Sequence, residues 1–190
     1  MKKIAMAALC SVFVATPAVA DNTGKYYIAG DLGSAMYNHV TVAAGTYPSP
    51  WMVRVAGGYH FSPIWAMEVG YSMFTDSTLS NAIDSATVTA SSLQIAATGT
   101  FPVNTEFDLT TKIGLAFNSH KLEGGLIGST VRSFSASQTD LLFGIGTQFH
   151  VSPQVTLRAQ CDSFGEFGKF GTTGKSMSVA AFSVGVAYTF

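Results

Sequence analysis

The last residues of the chain, Ser178 to Phe190, read S-V-A-A-F-S-V-G-V-A-Y-T-F and constrain the fold more than any other stretch. Ala180, Phe182, Val184, Val186, Tyr188 and Phe190 alternate with Val179, Ala181, Ser183, Gly185, Ala187 and Thr189. A period of two is that of a β-strand, whose successive side chains point to opposite faces. One face is apolar and closes on two aromatics; the other is small or weakly polar. A strand of this kind left at an open sheet edge is a template for aggregation. A barrel in a membrane removes the edge by pairing the last strand with the first.

Residues 1–20 are expected to form a secretory signal peptide: Lys2 and Lys3, an apolar core from Ile4 to Val14, then Ala18-Val19-Ala20 before Asp21. Residues 21–190 are then a single barrel domain. Only 11% of the chain is charged, against roughly a quarter in ordinary soluble domains. Yet no stretch after residue 20 approaches the ~18 consecutive apolar residues of a membrane helix. High apolarity without a helix-length run fits a barrel that crosses the membrane with strands. Removing Lys2 and Lys3 from the ten Lys+Arg leaves eight against eleven Asp+Glu. With no basic patch, no nucleic-acid partner is expected. Cys10 leaves with the signal peptide and Cys161 stays single, so no intrachain disulfide is expected.

The alternation recurs in segments near 25–35, 51–61, 64–74, 87–101, 106–117, 138–151, 154–163 and 178–190. Polar stretches at Met36–Pro50, Thr75–Ala86, Asn118–Ser137 and Phe164–Gly174 are expected as long loops. Ser62-Pro63, Pro102-Val103-Asn104-Thr105 and Ser152-Pro153 are expected as short turns. Long and short connections take turns, as in outer-membrane barrels with extracellular loops and periplasmic turns; a βαβ fold would need helical crossovers. The polar face of the strands is mostly Gly, Ala, Ser and Thr, which suits the narrow lumen of eight strands. Tyr26, Trp51, Tyr59, Phe61, Trp65, Phe101, Phe107, Phe149 and Tyr188 gather near strand ends, as interfacial girdles do. The expected fold is all-β: an eight-stranded antiparallel transmembrane barrel in the bacterial outer membrane.

Four charges sit on the polar face near mid-strand: Asp31, Glu68, Lys112 and Arg158, on the first, third, fifth and seventh strands. They sum to zero, and a charge in a low-dielectric lumen needs a partner. They are read as a polar plug, with a gate or ion path as the alternative. Catalysis has little to stand on. His39 and His120 are placed in loops, His60 and His150 beside short turns, and Ser119-His120 is the nearest pairing of hydroxyl and base. No cofactor and no metal are expected, and the second and sixth strands, which carry His60 and His150, are not neighbours in a barrel. Cys161 shares the apolar face with Val155, Leu157 and Ala159, which points it at lipid.

Several motifs in order carry a resemblance. Tyr26-Tyr27-Ile28-Ala29-Gly30-Asp31-Leu32-Gly33 is followed by Gly57-Gly58-Tyr59, Pro63, Glu68 and Gly70-Tyr71, by Phe101-Pro102, and by Pro153 with Arg158. In these the chain resembles the transmembrane domain of the outer-membrane protein A family and the broader family of small outer-membrane barrels. The resemblance implies that Glu68 and Arg158 are an interior ion pair and Lys112 a further lumenal base. Thr98 and Gln148 depart from it, standing where the family pattern has charged partners. The family's periplasmic peptidoglycan-binding domain is expected to be absent from this chain. By the same resemblance Phe182, Val184, Val186, Tyr188 and Phe190 form the C-terminal assembly signal. Implied partners are outer-membrane lipids including lipopolysaccharide, the barrel assembly machinery, periplasmic chaperones, and a host or surface ligand of unknown identity. The implied role is structural or adhesion-type, through four extracellular loops. A narrow pore and an outer-membrane lipid-modifying enzyme are the alternatives. Deleting Phe190 is expected to impair membrane insertion far more than truncating a loop; equal insertion of the deletion variant, scored by surface exposure, would remove the terminal strand from that role.

Overall fold

The computed structural model describes residues 22–38, 50–80, 84–126, 132–170 and 175–190. Eight strands run in chain order: β1 (Tyr26–Asn38), β2 (Trp51–His60), β3 (Trp65–Ser80), β4 (Asp84–Pro102), β5 (Phe107–Leu126), β6 (Arg132–His150), β7 (Val155–Phe170) and β8 (Lys175–Thr189). Each pairs antiparallel with the next, and β8 returns to β1 to close the barrel. The closing seam runs from Tyr27↔Thr189 to Asn38↔Ser178. Beyond it, the amide of Phe190 donates to the carbonyl of Tyr26 at 2.9 Å. The last residue thus completes the ladder, and the ring of Phe190 lies edge-on to Tyr188 with centroids 5.2 Å apart.

The three tight turns share one device. Ser62 Oγ accepts from the amide of Trp65 at 2.8 Å, Ser152 Oγ from that of Val155 at 3.0 Å, and Asn104 Oδ1 from that of Phe107 at 2.8 Å. Small side-chain acceptors of this kind hold a turn without a longer loop. We call this the turn end of the barrel.

The opposite end corrects the reading from sequence. Most of Thr75–Ala86 and Asn118–Ser137 is strand rather than loop, since β3, β4, β5 and β6 extend to Ser80, Asp84, Leu126 and Arg132. Thr87↔Glu123, Lys121↔Ser135 and Gly124↔Arg132 are paired positions there. Ser119 and His120 are therefore consecutive residues of β5 rather than loop neighbours. Segment 164–170, also expected as loop, belongs to β7. The physical reason is that a hairpin rising beyond the apolar belt no longer needs an apolar face, so its sequence turns polar while its backbone pairing continues. His39 and residues 1–20 lie outside the described residues.

One seam is shorter than its strands. Pairing between β6 and β7 ends at Phe143↔Ser163, and β7 then bends at Gly165, whose φ is +76°. A Cβ there would run into the side chain of Asp140, so both backbone and space call for glycine. Asn118 on β5 reaches past the gap to donate to the carbonyl of Phe164 at 2.8 Å.

The outward face is a continuous apolar surface. Ile28, Leu32, Val55, Met67, Val69, Ile113, Leu115, Phe143, Ile145, Val184 and Val186 are all exposed. At its borders stand Tyr26, Trp51, Phe61, Trp65, Phe101, Phe107 and Tyr188, the arrangement of a lipid-facing belt with aromatic girdles. Cys161 is exposed on this face. A membrane-permeant maleimide is expected to label it in the folded protein, while a charged, water-soluble maleimide leaves it unmodified. Rapid reaction with the charged reagent would place Cys161 toward water, because a slip of one residue reverses every side chain of a strand.

Candidate functional site

The lumen is built in layers. Its middle layer holds Asp31 from β1, Arg54 from β2, Glu68 from β3, Lys112 from β5, and Arg158 and Asp162 from β7, all buried. Arg158 grips Asp31 with Nε at 2.6 Å from Oδ1 and Nη2 at 2.5 Å from Oδ2, a two-pronged contact. Its Nη1 donates to Glu68 Oε2 at 2.8 Å. Glu68 accepts further bonds from Lys112 Nζ at 2.7 Å and from the Tyr27 hydroxyl at 2.8 Å. Arg54 bonds Asp31 through Nε at 2.7 Å and Asp162 through Nη1, and its Nη2 donates to Gln160. Lys112 Nζ also reaches Gln160 Oε1 at 3.3 Å.

Three carboxylates thus meet three cations, and the layer is neutral. Neutrality matters because one unpaired ion in this interior costs several kcal/mol. The alternate strands make room. Gly144 on β6 lies between Lys112 and Asp162, and a Cβ on it would strike Asp162 Oδ1. Gly185 on β8 lies between Asp31 and Arg158, and a Cβ there would strike Asp31 Oδ1. Gly58 is opened in the same way for the ring of Tyr27.

Asp31, Glu68, Lys112 and Arg158, the four charges singled out from sequence, all meet in this layer. Arg54, Asp162, Gln160 and Tyr27 were not singled out. Their signal was present in strand parity: Arg54 alternates with Val53 and Val55, and Gln160 and Asp162 share the parity of Arg158. Thr98 and Gln148 stay outside the network.

The layer beyond it, toward the far end, departs from the expected lumen of small and polar residues. Met52, Phe74, Leu142, Phe164 and Val179 fill it, each at most 5% exposed, with Ala35, Ala90, Ala116 and Ala181 between them. Phe74 and Phe164 meet edge to face at 5.8 Å. Their packing excludes water on that side of the charges and keeps the ion layer in a low dielectric. On the other side, toward the turn end, lies a cavity of about 340 Å³ lined by Tyr27, His60, Thr98, Asp108, Gln148 and His150 among others. Asp108 and Thr156 hold His150 by both ring nitrogens, at 2.7 and 3.0 Å. Among the described residues, no group of three or more His, Cys, Asp or Glu is placed to hold a metal ion.

Replacing Glu68 by Gln or Arg158 by Gln is each expected to destabilise the barrel by about 3–5 kcal/mol, since the buried layer is left with one uncompensated charge. The double variant is expected to fall short of the sum by more than about 0.5 kcal/mol. Reversible unfolding in lipid measures all three, and additivity would mean the two charges act independently.

Comparison with known proteins places this architecture. Residues 5–190 match the outer membrane protein beta-barrel domain model. The chain is 25% identical over 190 residues to outer membrane protein A of Klebsiella pneumoniae, covering 95% of this chain and 54% of that protein, so it spans about half the relative's length. Among solved structures, Ail of Yersinia pestis superposes with a TM-score of 0.62 at 16% identity, covering 88% of this chain and 99% of Ail. Neisserial surface protein A gives a TM-score of 0.61 at 18% identity, covering 87% of this chain and 97% of that one. With the closed eight-stranded barrel and its lipid-facing belt, the match over nearly the whole chain identifies a protein of the bacterial outer membrane that belongs to the outer membrane protein beta-barrel domain family.

Proposed function

We propose that the protein is a non-conducting outer-membrane barrel with a structural or adhesion-type role, presenting the connections of its far end to the outside. The observation that carries this reading is the two-layer filling of the lumen. A neutral ion layer backed by Met52, Phe74, Leu142 and Phe164 leaves a scaffold rather than a water-filled path. Polar hairpins rising beyond the belt, such as β5 with β6, give the outside face its display surface. Ail, which shares the fold, is described as an attachment invasion locus protein and was solved with a heparin analogue, sucrose octasulfate. That is in keeping with surface attachment as a use of the architecture.

Residues 1–20 direct export, Phe182, Val184, Val186, Tyr188 and Phe190 engage the assembly machinery after escort by periplasmic chaperones, and the apolar belt meets lipid and lipopolysaccharide. No catalytic role is assigned, and His150 is held by Asp108 and Thr156.

Two measurements test the proposal together. Purified protein in planar bilayers is expected to show no steady conductance. Non-adherent bacteria displaying the barrel are expected to gain adherence to host cells or matrix, and to lose it when individual far-end connections are replaced by short glycine-serine links. Stable channels would favour the pore. Adherence unchanged by display of the intact barrel would remove the surface role.

A further inference from the structure

We propose that the cavity at the turn end is a binding site for a small, neutral, polyhydroxylated solute about the size of a monosaccharide. The cavity holds about 340 Å³, within the roughly 300–1,000 Å³ common for small-molecule pockets. It is a blind end: Tyr27, whose hydroxyl donates to Glu68 at 2.8 Å, stands between it and the ion layer. Short turns rather than long loops surround its mouth, and in barrels of this architecture that end faces the periplasm.

The chemistry of the lining selects the ligand. No Lys or Arg lines the cavity, so its wall offers an anion no permanently charged partner. Its one carboxylate, Asp108, is bonded to His150 at 2.7 Å and is not free for a cation. What remains are uncharged donors and acceptors. Thr98 is 3% exposed and its hydroxyl has no hydrogen-bond partner. The side chains of His60, Thr100 and Gln148 likewise make no hydrogen bond among the described residues.

These groups come from β2, β4 and β6 and converge on one space. Hydroxyl, amide and imidazole each donate and accept, which matches the dual character of an alcohol. A buried hydroxyl without a partner, such as that of Thr98 in the cavity wall, is unfavourable, and a ligand hydroxyl that reached it would offset that cost. Tyr27 and His60, with ring centroids 5.1 Å apart, and Ala66 and Ala187 supply the apolar wall against which C–H groups pack. The departure of Thr98 and Gln148 from charged residues, noted in the sequence, is what leaves this space neutral.

The test is a titration of the folded barrel in detergent micelles with glucose, read by backbone amide NMR. Saturable shifts are expected at His60, Thr98, Thr100, Gln148 and Thr156, with weak, millimolar-range affinity. Thr98→Val, which keeps the shape and removes the hydroxyl, is expected to weaken binding by about two- to tenfold. Val103→Ala, outside the cavity on a neighbouring turn, is expected to bind as the unaltered protein does. Glucose 6-phosphate and protonated glucosamine are expected to bind more weakly than glucose. Linear, unsaturated shifts would mean that the cavity holds water only, and equal binding of the charged sugars would overturn the assignment of a neutral ligand.

Discussion

Hydrocarbon offers no partner to a backbone amide or carbonyl, and this constraint shapes everything else in the molecule. A strand that crosses the bilayer must give its whole ladder to neighbours, so the sheet has to close. Closure depends on the joining of β8 to β1, finished by the bond from the amide of Phe190 to the carbonyl of Tyr26. Once the sheet is closed with eight strands, the interior is wide enough for side chains and little more. Alternation along each strand then sends one residue to lipid and the next into a confined space where charge is expensive.

The ion layer follows from that confinement. Six ionised groups coexist because each has more than one opposite partner, with Asp31 shared between two arginines and Glu68 between Arg158 and Lys112. Long side chains on some strands require empty positions on the strands between them. Gly144 and Gly185 are therefore as much part of the layer as the charges they accommodate. Desolvation offsets much of the attraction within such a buried layer, so its net contribution to stability is far smaller than the cost of breaking it.

The two flanks of the layer are chemically unlike. Toward the far end, Met52, Phe74, Leu142 and Phe164 form a dry stack. Toward the turn end, hydroxyls and an amide line an open space. The barrel is thus asymmetric along its axis as well as across its wall: sealed on one side of the charges and open on the other. The seal fits a scaffold for surface display, and the open side gives the same scaffold a second, inward-facing surface.

Period-two alternation from Tyr26 to Phe190 was enough to establish strands, their number, the lipid-facing set and the closing role of the last strand, because lipid outside and a narrow lumen inside impose opposite chemistries on adjacent residues. Parity also marked Asp31, Glu68, Lys112 and Arg158 as interior. Where polarity ceased to alternate, the reading failed: Asn118 to Ser137 looked like loop because a hairpin in water shows no apolar face. Only the tertiary structure decided the rest. The stagger between strands brings Arg54 and Asp162 to the level of Glu68 and lifts Met52 and Phe74 into a layer of their own. It also gathers Thr98, Gln148 and His60 around one cavity. Those groupings depend on the relative heights of strands distant in the chain, which ladder register sets and local sequence does not encode.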